Sequence, residues 1–147
     1  MWAYATYANN AEVVRSTDDG AGWQKVFPNW PQTPTSLVVS GAFFLNADDA
    51  WAVTDRQWPA PPGVTTVWRT TDGGATWQKG TSFPSPLPET DYPPVVYQLA
   101  FTDAGRGYAV SALGEQSRAY GLWAISDGGT TWHRLSTSGS ARPTWRT

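Results

Sequence analysis

Three times in this chain an aspartate is followed by glycine two positions on and by tryptophan five positions on: "STDDGAGW" at 16–23, "TTDGGATW" at 70–77 and "ISDGGTTW" at 125–132. The triplets are Asp18/Gly20/Trp23, Asp72/Gly74/Trp77 and Asp127/Gly129/Trp132, and the aspartates lie 54 and 55 residues apart. A second pattern keeps the same step. "FLNADDAWAV" at 44–53 and "FTDAGRGYAV" at 101–110 both read Phe, then an aromatic seven positions on, then Ala-Val. Two independent signals with one period mark a tandem array of one supersecondary unit.

The unit is built of strands. With 14 glycines and 12 prolines in 147 residues, and Thr, Val, Trp and Tyr between them, the chain has the profile of short strands joined by tight turns. No amphipathic segment of ten or more residues keeps helical period. Strands are expected at 37–45, 50–54, 65–70 and 76–81, and again at 95–102, 107–112, 120–125 and 131–136. Before them, 2–7, 11–16 and 23–27 supply the last three strands of a further unit. Four antiparallel strands repeated in series predict an all-β fold of propeller blades, about 2.75 per chain, each strand lying outside the one before. As one propeller segment, 1–147 divides into a partial blade (1–27), two full blades (37–82 and 95–137) and a tail (138–147) placed to begin another blade.

In this layout the repeated motif joins the third and fourth strands. An Asp side chain accepts hydrogen bonds from nearby backbone N–H groups and clamps a turn. Glycine permits the positive φ that such a turn needs. The Trp, expected on the outer strand, can fill the space between strands or between blades. A hydroxyl two positions before the Asp (Ser16, Thr70) can add a local bond, but Ile125 replaces it in the third copy.

These residues resemble the Asp-box, or BNR repeat, with its pattern Ser/Thr-x-Asp-x-Gly-x-Thr-Trp. The first copy departs from it, with Gly22 in place of Thr. The Phe…Trp/Tyr-Ala-Val segment is similar to blades of the sialidase-like and photosystem assembly-factor-like BNR propellers. The resemblance spans nearly the whole chain. It implies a propeller whose Asp-boxes lie at the ring periphery, away from the binding face.

Composition excludes several functions. A formal net charge of −2 and only two lysines, Lys25 and Lys79, leave no basic patch to neutralise phosphates, so nucleic acid is not an expected partner. No apolar run approaches the roughly 18–20 residues of a membrane helix, and no membrane insertion is expected. With no cysteine and a single histidine, His133, thiol chemistry and His-rich metal sites lack material. No metal or other cofactor is expected. Export requires a signal upstream of "MWAYATYANN", which has neither a charged leader nor an apolar core; without one the chain is cytoplasmic.

Catalysis needs carboxylates that converge on one substrate, and one Asp per blade at an outer corner does not converge. The three glutamates, Glu12, Glu89 and Glu115, form no recognisable pair, and the Arg-Ile-Pro signature of sialidases is absent. No catalytic residue is assigned, and an enzyme is disfavoured. Binding is expected on the opposite face, where the second-to-third-strand turns and the inter-blade links emerge. The long segments 27–35, 55–63, 83–94 and 113–121, the first three bearing prolines, gather there, with Trp30, Arg56, Trp58, Tyr92, Arg118 and Tyr120. Stiff loops lose little entropy on binding, and aromatic and Arg side chains suit sugar stacking and protein hot spots.

The expectation is a non-enzymatic scaffold presenting that face to a protein or glycan. Because a propeller needs four to eight blades, the ring is closed by a second copy, giving six blades, or by the remainder of a longer propeller. The alternatives are a portion of a BNR-type glycoside hydrolase, sialidase- or glucanase-like, and a designed or evolutionary-model fragment with no ligand.

Overall fold

A computed structural model describes residues 1–7, 10–27, 37–56, 65–82, 96–112 and 120–135. The described chain is all β, with no helix, in eleven strands. These are β1 (Trp2–Tyr7), β2 (Asn10–Arg15), β3 (Gln24–Phe27), β4 (Leu37–Phe44), β5 (Ala50–Arg56), β6 (Thr66–Thr70), β7 (Gln78–Ser82), β8 (Val96–Phe101), β9 (Gly107–Ala112), β10 (Tyr120–Ile125) and β11 (His133–Leu135). They form three antiparallel sheets in simple sequential order: β1-β2-β3, β4-β5-β6-β7 and β8-β9-β10-β11. Each sheet is a propeller blade, and the first contains three strands.

The period-2 alternation of the strands gives the middle blade two apolar faces. Ala42, Phe44, Ala52 and Trp68 point toward the first blade, while Phe43, Trp51, Val53 and Val67 point toward the third. Two cores result, one at each joint. Val13 and Phe27 of the first blade meet Val39 and Ala52 of the second. Across the other joint, Trp51, Val53 and Val67 meet Val96, Leu99, Phe101, Ala109, Trp123, Ile125 and Trp132.

The aromatic-Ala-Val pattern explains how blades are joined. Trp51 on β5 stacks on Phe101 of the next blade at 3.7 Å between centroids and 8° between planes. Trp2 takes the same place on β1 and stacks on Phe44 at 5.4 Å and 8°. The Phe near the end of each innermost strand is thus the seat for an aromatic from the preceding blade.

Strand limits shift by one or two residues from expectation in most strands, and two of the shifts have a visible cause or partner. The fourth strand starts after the motif tryptophan, at Gln24, Gln78 and His133, because the aspartate's bonds hold the turn through the residue before the tryptophan. Strand β5 runs on to Arg56, paired with Leu37. The tail 138–147 lies outside the described residues.

Candidate functional site

Each motif corner is closed by its own side chains. In the second copy, Thr70 Oγ1 donates to Asp72 Oδ1 at 2.8 Å and accepts from the buried Gly74 N–H at 2.9 Å. Asp72 then accepts from the Thr76 N–H at 2.9 Å and the Thr76 hydroxyl at 2.6 Å. The first copy keeps the inner half: Ser16 Oγ bonds Asp18 at 2.7 Å and accepts from Gly20 N–H at 2.8 Å, while Gly22 offers Asp18 only its N–H, at 2.8 Å. The third copy keeps the outer half. Asp127 accepts from Thr130 N–H, Thr131 N–H and the Thr131 hydroxyl, and Ile125 stands in the core instead of a hydroxyl.

These donors favour the ionised carboxylates. The hydroxyl of Thr76, its N–H and the hydroxyl of Thr70 pull Asp72 down to about 2. The Gly22 N–H and Ser16 hydroxyl lower Asp18. At Asp127 burial opposes the charge, but the Thr131 hydroxyl and the Thr131 and Thr130 amides outweigh it, and the net shift is downward. A general acid near neutral pH needs the opposite shift, so these groups are suited to holding turns.

The turns between first and second strands lie beside the motif corners. Asn46 Oδ1 accepts from the N–H groups of Asp48 and Asp49, and Asp103 Oδ1 accepts from Gly105 and Arg106, each at 2.8 Å. Asp48 and Asp49 both sit in the Asn46 turn. The two kinds of turn are tied together by Gly73 N–H to Asp48 O at 3.0 Å and Gly128 N–H to Gly105 O at 2.8 Å. Their repeat-equivalent positions, Asn46 and Asp103, are a structural signal that motif reading alone did not use.

A second unread signal is the residue before the motif: Arg15, Arg69, Ala124. Arg15 reaches from β2 to the Gly73 carbonyl of the next blade at 2.9 Å, with its guanidinium carbon 5.3 Å from the Trp2 ring centroid. Arg69 stands equivalently, 5.3 Å from the Trp51 ring, bonded to Asp49 at 3.2 Å and pressed against Gly128 of the next blade. A cleft of about 180 Å³ opens at the first joint between Arg15, Thr17, Gln24, Val26 and the Gly73–Ala75 turn. At the second joint Gly80 stands at the position of Val26, and its Cα lies so close to the Gly129 carbonyl that no side chain fits.

The motif tryptophans occupy different surroundings. Trp77 fills the first joint, its Nε1 donating to Val26 O at 2.8 Å and its ring 4.5 Å from Phe27. Trp132 is buried in the second joint's core. Trp23 is 45 % exposed. His133, an exposed strand residue, pairs with Ala124.

Of the six residues expected on the opposite face, Trp30, Trp58, Tyr92 and Arg118 lie outside the described residues. The backbones of Arg56 and Tyr120 are placed at the end of β5 and the start of β10, at the strand ends remote from the motif corners. Among the described residues no group of three or more His, Asp or Glu side chains is arranged to hold a metal ion.

No family model matches the chain. It is 29 % identical over 142 residues to a xyloglucanase from Paenibacillus sp, an alignment covering 84 % of this chain and 13 % of that protein. Its fold is similar to that of YCF48 solved bound to D1 peptide, with a TM-score of 0.60 at 17 % identity, covering 91 % of this chain and 36 % of that one. The chain therefore spans a small part of the length of both relatives. The fold is that of a β-propeller segment.

Proposed function

We propose that this chain is a non-enzymatic binding scaffold whose loop face, opposite the Asp-box corners, takes a protein or glycan, within a ring closed by association with further blades. The observation that carries this reading is the division of labour between the two strand ends. At one end, turns and Asp-boxes are saturated by mutual hydrogen bonds, and the aspartates are held ionised in structural bonds. At the other end the backbones of Arg56 and Tyr120 end and begin strands, and the sequence adds Trp30, Trp58 and Tyr92 on proline-bearing segments and Arg118 on 113–121. Aromatic and Arg side chains in such segments supply contact area and stacking at low entropic cost. The solved relative with a bound peptide supports a protein-taking surface.

Peptide and glycan arrays probed with the intact chain test this reading. Binding that falls about tenfold in Trp58→Ala or Arg56→Ala supports it. Array binding unchanged in a Trp30→Ala/Trp58→Ala/Arg118→Ala variant sinks it.

The similarity to a xyloglucanase favours one second reading, a portion of a glycoside hydrolase. Release of reducing sugar from xyloglucan, lost in Asp91→Asn or Glu115→Gln, would replace the scaffold by the enzyme.

A further inference from the structure

Among the described residues the exposed large apolar side chains are Met1, Trp23, Tyr108 and Leu135. Three of them stand at repeat positions that are inter-blade contacts elsewhere in the chain. Tyr108, 49 % exposed, occupies the place of Trp2 and Trp51, both of which stack on the next blade. Leu135, 38 % exposed, occupies the place of Val26, whose carbonyl receives the Trp77 indole. Trp23 occupies the place of Trp77 and Trp132, which fill the joint with the preceding blade. The outer face of the third blade and the corner of the first blade are thus the unmatched halves of the motif-corner contact that occurs twice within the chain. The first blade, with three strands, has no innermost-strand Phe among the described residues to seat Tyr108.

The residues that vary between copies match across these two halves. In both internal joints an Arg on the third strand lies against the glycine after the motif Asp: Arg15 on Gly73, Arg69 on Gly128. Both glycines have positive φ, +71° and +73°. A side chain at either would overlap the guanidinium, so a clamp on one blade and a side chain on the next exclude each other. The third blade has Ala124 in place of the Arg, in the cross-strand row Tyr108–Ala124–His133. The first blade has Asp19 in place of the glycine, at φ +56°, a conformation Asp tolerates better than most residues. Ala124 leaves the space that the Asp19 side chain needs. Each departure from the repeat removes the obstacle raised by the other.

We propose that the outer face of the third blade, with Tyr108, Ala124 and Leu135, docks the Asp18–Trp23 corner of a second copy of this chain, head to tail. By the geometry of the first joint, Trp23 Nε1 of one copy donates to the Leu135 carbonyl of the other, as Trp77 does to Val26. The contact is heterologous: two different patches meet, and repetition closes a ring or extends a chain of copies. The proposal rests on the reading that the ring is closed by association. It does not depend on what the loop face binds, and its test contains no ligand.

Sedimentation velocity of the intact chain over a concentration series is the test. Mass is expected to rise above 16.0 kDa in multiples of the monomer. Trp23→Ala and Leu135→Asp, both at exposed positions, are each expected to weaken association about tenfold or more with unchanged far-UV circular dichroism. Tyr108→Ser on the same face carries the same expectation and serves if either variant fails to fold. The equimolar mixture of Trp23→Ala and Leu135→Asp regains a dimer, because each protein retains the half that the other has lost. Asp19→Gly with Ala124→Arg recreates the pairing of the internal joints and retains association. A chain that stays at 16.0 kDa at every concentration overturns the proposal, and assigns the face to a further blade of a longer chain. Association untouched by these substitutions, or a mixture that does not recover, also overturns it.

Discussion

The three Asp-box corners show which parts of one motif a turn can lose. Thr70 and Thr76 bracket Asp72 from both sides, whereas the first copy lacks the outer hydroxyl and the third lacks the inner one. In each case the carboxylate keeps at least one backbone N–H, the bond that sets the turn. Thr70 Oγ1 is the partner of the buried Gly74 N–H, so Thr70→Val leaves that donor unpaired. A loss of about 1–3 kcal/mol is expected, read as a lower urea midpoint with an unchanged m-value. The same corner gives a pH dependence of known sign. Asp72 is depressed from 3.8 to about 2 in the folded chain, so it binds fewer protons there than in the unfolded chain. Its contribution is complete above 3.8 and is lost as pH falls through about 2. Thermal melts between these limits should show a shallower pH dependence in Asp72→Ala than in the wild type, and parallel curves would contradict the assignment.

At the scale of the strand and its joint, aromatic stacking and the Arg–Gly contact act together. Trp51 is fully buried and stacked on Phe101, and its indole donates to Gly128 O at 2.8 Å. Trp51→Ala therefore removes ring contact, hydrogen bond and the platform under Arg69, and about 3–5 kcal/mol is expected by denaturant unfolding. The Arg–Gly contact is tested by a double-mutant cycle. Gly73→Ala adds a methyl where Arg15 lies and imposes positive φ on alanine, while in an Arg15→Ala background only the φ cost remains. A coupling of about 0.5–3 kcal/mol is expected, and additivity would show that the guanidinium moves aside freely. Strand order, and each strand to within about two residues, were legible in the sequence, because the motif repeats and turn glycines mark corners directly. The clamp was legible only by comparing "VVRS", "VWRT" and "LWAI" position by position, since Arg before a turn has no signature of its own. Its partner is a carbonyl 58 residues on, which no local pattern encodes. The loop-face residues carried no repeat at all. Trp30, Trp58, Tyr92 and Arg118 stand at unrelated offsets from the motif, so loop composition alone brought them forward.

Across the whole molecule, stability follows the nearest-neighbour logic of repeat proteins, in which each blade is held by its joints. The two joints are unequal. Among the described residues the core between second and third blades contains ten buried side chains, and the one between first and second contains four, with Trp2, Tyr4, Val26 and Trp77 only partly covered. The first blade also has three strands and a single joint among the described residues. Local opening is easiest where fewest apolar contacts must be broken. Native-state hydrogen exchange should therefore find β1–β3 exchanging through a sub-global opening, while β5, β6, β9 and β10 exchange only with global unfolding. Phe27 is the largest buried side chain on the first blade's side of its joint. Phe27→Ala should lower the protection of β1–β3 by the equivalent of about 3–5 kcal/mol and leave β9 and β10 nearly unchanged. Equal loss of protection in all three blades would show one cooperative unit in place of two unequal joints.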